Sequence, residues 1–403
     1  MRILYYHQHF STPHGAAGTR SYVMARHLIE AGHQVTMVCG SNAICDTGIE
    51  KPFRKGKRVG RVDGIDVIEL ALPYTNQDSL LRRSFTFLRF AWKSVIIALT
   101  STYDVLFATS TPLTAGIPGI FAHSLRRKPF IFEVRDLWPE LPREMGVIRN
   151  RIVLRALDIL EWLTYHAADR CIGLSPGIVE GIQRRGISAD RTAMIPNGCD
   201  VELFHPGAQV ERQAQSTGLT AIFTGAHGIA NGLDALLDSA AELLALGRED
   251  IQIILIGDGK QKPQLMERAK REQLTNCRFL DSVPKLDLAR QLHTADVGLM
   301  ILANVPAFYY GTSPNKFFDY IAAGLPVINN YPGWLAELIS EHQCGIAVEP
   351  DQPAALAEAL MKLADSPAQR QLMGHNARRL AESTFNRARL ADQFVEQFMS
   401  LGS

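Results

Sequence analysis

The chain has no cysteine pair at CxxC spacing, no long apolar run and almost no net charge, and each absence removes a class of function. Its six cysteines (Cys39, Cys45, Cys171, Cys199, Cys277, Cys344) are scattered, which argues against a disulfide framework or a zinc site. They read as reduced, mostly buried thiols of a cytoplasmic protein. The formal net charge of +1 gives no basic field for nucleic acid, so any attraction to a membrane must be local. No apolar stretch approaches the roughly 20 residues that span a bilayer, and the nearest, Phe85 to Thr100, is broken by Arg89 and Lys93. Met1 to Tyr6 reads directly as a strand, with no basic and apolar leader ahead of a cleavage site, so a signal peptide is not expected.

What is present is the balance of a folded protein: 46% apolar and 21% charged residues. A length of 403 residues exceeds one ordinary core and predicts two domains. Strand and helix signals alternate throughout, the pattern of parallel sheets covered by helices. Strands are predicted at Ile3–Tyr6, Gln34–Cys39, Val67–Leu70, Val105–Ala108, Phe130–Val134 and Arg170–Leu174. A helix from Arg20 to Ala31, with Val23, Ala25, Leu28 and Ile29 as its apolar positions, closes at Gly32. The expected organisation is an N-terminal Rossmann-like domain over 1–204, a polar linker over 205–218 and a C-terminal Rossmann-like domain over 219–385. A last helix within 386–403, with Leu390, Phe394 and Phe398 on one side, either packs back on the first domain or finishes the second. Doubly wound domains bind ligands beyond the carboxyl ends of their strands, so an interdomain cleft lined by such loops is expected to carry function.

The stretch Thr312 to Ile328 reads as a loop, a short helix and a strand. Ser313 and Pro314 suit a helix start, and Gly324 suits its end. Asn315 and Lys316 fall at the helix N-terminus, where free N–H groups and a cation favour phosphate; Asp319, one turn on, suits ribose hydroxyls. An ordinary capped helix is the alternative. The loop Ser11 to Arg20 places Gly15, Gly18 and Arg20 after the first strand, where glycines permit close approach of a ligand, but without the GxGxxG spacing of a dinucleotide site. The loop Glu133 to Glu140 carries Arg135, Asp136, Trp138 and Glu140, either a structural ion pair or a set able to bind sugar hydroxyls beside an indole face. In the second half, Gly225, His227 and Gly228 follow a strand, and Lys260 follows Ile256-Gly257-Asp258-Gly259, both arrangements suited to a diphosphate. Leu80 to Lys93 is basic and aromatic at once, fitting either an anionic membrane surface or a helix with snorkelling arginines.

The ordered set of Gly15 to Arg20, Arg26 to Val35, Asn197-Gly198-Cys199-Asp200, Leu255 to Gly259, Ala295 to Leu299 and Phe318 to Val327 resembles the retaining glycosyltransferases of family 4. That resemblance covers nearly the whole chain and implies the GT-B fold, two Rossmann-like domains facing a cleft. It also implies metal independence, with a nucleotide sugar as co-substrate and no other cofactor. Family members carry two glutamates spaced E-x7-E; Asp319 stands at the second position and inherits ribose binding, while Gly311 stands at the first. Ala226 and Asn231 stand near the usual arginine and lysine, and Arg135 stands at the usual active-site histidine. These departures resemble a branch of O-antigen and capsule transferases of the N-acetyl-L-fucosamine type. In that reading Lys316 and His227 take over diphosphate neutralisation.

The expected activity is therefore transfer of a sugar from a nucleoside diphosphate, UDP above all, to a lipid-linked saccharide in bacterial surface-polysaccharide synthesis. Lys316, Arg135, Asp136 and His14 are the candidate catalytic residues, with Asp136 or His14 as a base. The donor set is Gly15, Gly18, Arg20, Gly225, His227, Gly228, Lys260, Ser313, Pro314, Asn315 and Asp319; Trp138 and Glu140 face the acceptor. No metal site is expected. A peripheral contact with the cytoplasmic face of the inner membrane is expected through Leu80 to Lys93. A nucleotide-sugar epimerase of the same fold, or a noncatalytic nucleotide-sugar-binding subunit, is the alternative.

Overall fold

A computed structural model describes residues 1–75, 78–206 and 218–401. Most of the expected 205–218 linker lies outside the described residues. The chain divides into two compact units, the first of 1–196, 311–313 and 388–403, the second of 197–310 and 314–387. Residues 197–204, expected in the first domain, group with the second unit: Cys199 N–H donates to Phe385 O at 2.6 Å, and Arg387 N–H to Cys199 O at 2.9 Å.

The first unit holds an eight-stranded sheet: β1 (Arg2–Tyr6), β2 (Gln34–Asn42), β3 (Lys57–Val62), β4 (Ile65–Tyr74), β5 (Val105–Thr109), β6 (Phe130–Val134), β7 (Arg170–Gly173) and β8 (Thr192–Met194), in the order β3-β4-β2-β1-β5-β6-β7-β8. All pairings are parallel except β3 with β4. Burial on both faces explains the near-continuous apolar strands: Leu4 and Tyr6 enter one core layer, Ile3 and Tyr5 the other. The second layer is completed by the last helix, Arg387–Met399, whose Leu390, Phe394 and Phe398 are buried there, with Phe394 and Phe398 rings 5.0 and 5.8 Å from Phe107. Of the two fates expected for this helix, it takes the first. The first helix spans Arg20–Glu30, with Met24 rather than Val23 inside.

The second unit holds a six-stranded parallel sheet, β9 (Leu219–Thr224), β10 (Ile251–Ile256), β11 (Cys277–Leu280), β12 (Val297–Met300), β13 (Val327–Asn329) and β14 (Gly345–Ala347), in the order β11-β10-β9-β12-β13-β14. Strand order reverses at β1/β5 in the first sheet and at β9/β12 in the second, the places where open α/β sheets leave a crevice for ligands. The helix Asn315–Ala322 packs against the second switch point. Its Tyr320 hydroxyl accepts from Thr224 N–H at 2.8 Å, and Gly298 on β12 leaves room for the Tyr320 ring, which a Cβ there would meet at 2.4 Å.

Candidate functional site

In the second unit, the loops after β9 and β10 are stitched together by Gly225 N–H to Ile256 O (3.0 Å) and His227 N–H to Asp258 O (2.9 Å). Only glycine fits at Gly257, where a Cβ would lie 1.8 Å from Gly225 O. Above this floor stands Lys316, from the first turn of Asn315–Ala322. A Cβ on Gly225 would touch its Cε and Nζ at 3.3 and 3.4 Å. Lys316 Nζ donates to Asn231 Oδ1 at 2.6 Å and lies 4.1 Å from the Phe223 ring centroid. Asn231 is fixed in turn by Nδ2 donating to Ala226 O at 2.7 Å. Among the described residues no carboxylate pairs with Lys316, and burial lowers its pKa to about 7. The lysine thus delivers its ammonium to Asn231, near which the family lysine is missing.

His227 shares the Phe223 ring, at 6.1 Å between centroids, and is fully buried with neither ring nitrogen hydrogen-bonded. Burial, and then the charge of Lys262, lower its pKa to about 4, so the imidazole is neutral at pH 7. It can donate or accept one hydrogen bond, but as a neutral ring it carries no charge for the role expected of it. Gly228 is half-buried, with open space where a Cβ would stand, and Lys260 is exposed. Pro314 rather than Ser313 caps the helix, Asn315 is its first residue, and Ser313 is buried. At Gly311 a Cβ would likewise meet nothing within 4 Å.

Asp319 is not an open ribose carboxylate. It is buried, with Lys285 Nζ on its Oδ2 at 2.5 Å, and Lys285 also lies 4.8 Å from the Phe204 ring. Its Oδ1 has no partner. Lys285 and Lys262 carry no signal in the sequence, because each lies in a polar segment whose partner is remote along the chain. Lys262 Nζ donates to Gly257 O and Leu280 O, both at 2.9 Å, and to Asp281 Oδ1 at 2.7 Å, holding the β10 and β11 exits together.

In the first unit, Glu133 is completely buried at the end of β6 and accepts from Arg20 Nε (2.9 Å) and Nη2 (2.8 Å), Arg135 Nε (3.2 Å) and Thr109 Oγ1 (2.7 Å). Burial would raise its pKa, but the charges of Arg20 and Arg135 outweigh this and hold it below the usual value. Arg20 also donates to Ile195 O at 2.9 Å and to Pro196 O. It is a buried strut, which corrects its assignment to the donor: every contact is internal. Gly15 is likewise structural, since a Cβ there would come within 2.2 Å of Ser11 Oγ and 2.7 Å of Asp46 N. Gly18 is half-buried and His14 exposed.

Arg135 is shared between Glu133, Thr109 Oγ1 (2.8 Å) and Ser21 Oγ (3.0 Å), so it acts on the loop rather than outward. Asp136 accepts from Thr111 Oγ1 at 3.0 Å, and burial raises its pKa against the opposing effects of Thr111 and Arg135. The Asp136 environment thus favours taking a proton. Trp138 is half-buried, packing against the core, and Glu140 accepts from Arg184 at 3.2 Å at the surface. Among the described residues no group of three or more His, Cys, Asp or Glu side chains could hold a metal ion.

Two doubly wound units, each with its polar loops at a sheet switch point, make up the GT-B fold. Residues 15–198 match the family model for the glycosyl transferase 4-like domain and residues 218–366 that for glycosyl transferases group 1; by these two domains the chain belongs to the glycosyltransferases. It is 27% identical to a D-rhamnosyltransferase, WbpZ of Pseudomonas aeruginosa, over 57% of this chain and 59% of that protein. The matches to such curated relatives span only about half of their length. Among solved structures, the sucrose-phosphate synthase of Thermosynechococcus elongatus is similar in fold, with TM-score 0.76 at 20% identity, covering 100% of this chain and 99% of that one. Anabaena Alr3699/HepE in complex with UDP-glucose gives TM-score 0.72 at 18% identity, covering 99% and 100%.

Proposed function

We propose that the chain transfers a sugar, with retention at the anomeric carbon, from a UDP-linked donor held by the second unit to a lipid-linked saccharide held by the first, in bacterial O-antigen or capsule synthesis. The observation that carries this reading is Lys316: a half-buried ammonium without a carboxylate partner, standing over a glycine floor at a sheet switch point. Leaving of the nucleoside diphosphate builds negative charge, and a fixed cation where that charge develops lowers the barrier. His227 adds a neutral hydrogen bond, and Asp136 is placed to take the acceptor hydroxyl proton. UDP-glucose in the similar Anabaena structure supports the choice of nucleotide, and the name of the similar Pseudomonas protein supports a sugar as the group transferred.

The membrane part rests on the helix Leu80–Thr100. Leu81, Phe85, Leu88, Trp92 and Ile96 recur at helical spacing, and all are exposed, from 48 to 85%. Arg82 and Arg89 flank them, with Arg89 over the Phe85 ring at 5.7 Å. Such a row beside arginines suits an anionic interface. No helix among the described residues is long and apolar enough to cross a membrane.

Incubation with radiolabelled UDP- and GDP-sugars and a lipid-diphosphate saccharide tests the reading. Label moving to lipid, with the donor's anomeric configuration kept, supports it; a changed free sugar nucleotide identifies an epimerase, and binding without turnover a noncatalytic subunit. Flotation with phosphatidylglycerol vesicles tests the helix: failure to float removes the membrane contact.

A further inference from the structure

A second group of polar side chains, three of them with an unpartnered buried atom, lies in the first unit, away from the Glu133 network's hydrogen bonds. His7 and His9 follow β1, Tyr74 ends β4, and Arg83 and Phe87 occupy the first turns of the helix Leu80–Thr100. β1 and β4 both run parallel to β2, so all of these groups gather at the carboxyl ends of the strands. The His9 ring lies 6.3 Å from His7, 5.4 Å from Tyr74 and 6.3 Å from Phe87. Arg83 stands over Tyr74 and Phe87 at 5.7 and 5.9 Å.

The polar atoms of this cluster have unused capacity. His7 is only 4% exposed, and its Nδ1 has no hydrogen-bond partner; neither do the buried Nδ1 of His9 and Nε of Arg83. Buried polar atoms are ordinarily satisfied, so three orphans in one cluster point to an absent ligand. Burial and the nearby Arg135 hold both imidazoles neutral, with His9 at about 4, so each unpartnered Nδ1 can give or take one hydrogen bond according to the tautomer. Among the described residues Arg83 has no carboxylate within salt-bridge distance, whereas its neighbour Arg82 has Asp78 at 3.1 Å. Neutral imidazoles suit hydroxyls, a guanidinium that meets Tyr74 but no carboxylate suits phosphate, and the two rings offer an apolar wall to a pyranose.

We propose that His7, His9, Tyr74, Arg83 and Phe87 form a head-group site for the acceptor, which takes a sugar ring joined to a phosphate. The proposal rests on the acceptor being a phosphate-linked saccharide. It also explains the layout of the helix, which turns Arg83 and Phe87 to the cluster and Phe85 and Leu88 outward, so that a lipid tail leaving the phosphate would meet the exposed apolar row.

The test is calorimetric titration of the full chain, first with UDP and then, with UDP saturating, with glucose 1-phosphate or farnesyl diphosphate. Both should bind, and Arg83→Gln should weaken each about tenfold, the scale of one lost hydrogen bond to a charged group, with UDP affinity unchanged. His9→Ala should weaken glucose 1-phosphate, and His9→Gln, which keeps a donor and an acceptor, should restore most of it. Tighter binding of farnesyl diphosphate assigns the site to a lipid-borne phosphate, and tighter binding of glucose 1-phosphate to a soluble one. No binding to the native chain, or affinities indifferent to both Arg83→Gln and His9→Ala, overturns the proposal. The UDP step reports separately on the donor reading, so the two can fail independently.

Discussion

The loops at the two switch points carry similar residue types and do opposite work. In the first unit Glu133 is surrounded by four donors from Arg20, Arg135 and Thr109, and the network closes on itself. In the second, Lys316 has one amide oxygen and one aromatic face, and His227 has no hydrogen bond on its ring at all. Charge next to glycine at a strand end therefore does not announce a ligand; what separates the cases is whether the charge already has a counter-charge. The contrast recurs inside the second unit. Asp319 and Lys316 lie one turn apart on the same helix, yet Asp319 is paired with Lys285 and Lys316 with no carboxylate.

Breaking the closed networks should have the largest effect. Glu133→Ala strands Arg20 in the core, and urea unfolding should show a loss of about 3–5 kcal/mol, the usual cost of removing one partner of a buried pair. Lys285→Met should cost a comparable amount by stranding Asp319, and a loss below about 1 kcal/mol in either case would mean that the pairs are solvated. Next comes Lys316→Ala, which should leave the urea midpoint nearly unchanged yet weaken UDP-glucose binding by about tenfold or more, on the scale of a charged hydrogen bond. A smaller, pH-dependent effect follows from the pKa of about 7. The ammonium is present below pH 7 and is lost above it, while a bound diphosphate favours the charged form. Affinity for UDP-glucose should therefore fall as pH rises from 6 through 8, and a flat profile would deny Lys316 a role. The smallest effect on stability should come from Trp92→Ser on the exposed helix face, within about 0.5 kcal/mol, with reduced vesicle flotation as its only strong consequence.

Much of the fold was legible because parallel strands buried on both faces leave long apolar runs, as in Phe130–Val134 and Ile251–Ile256. The edge strand β3 was not, since its residues alternate between exposed and half-buried and carry no apolar run. Its only signal was Asp63-Gly64, both at positive φ, joining it to β4 as a two-residue hairpin. Lys316 stands in the first turn of a helix, as expected, whereas the internal partners of Arg20 and Asp319 were not legible, for one physical reason. Their partners, Glu133 and Lys285, are 113 and 34 residues distant, and local sequence does not reveal whether a charge is already neutralised. The cluster of His7, His9, Tyr74 and Arg83 was hidden in the same way, being assembled from three separate segments.

The central claim is that Lys316 is the cation that receives the donor diphosphate. Titration of UDP-glucose into the native chain, Lys316→Ala and Lys316→Arg at pH 6 and pH 8 tests it most directly. The account predicts weak binding by the alanine variant at both pH values. It also predicts an arginine variant whose affinity no longer depends on pH, because a guanidinium stays charged throughout. Equal affinities for the native and alanine forms, each with the same pH profile, would contradict it.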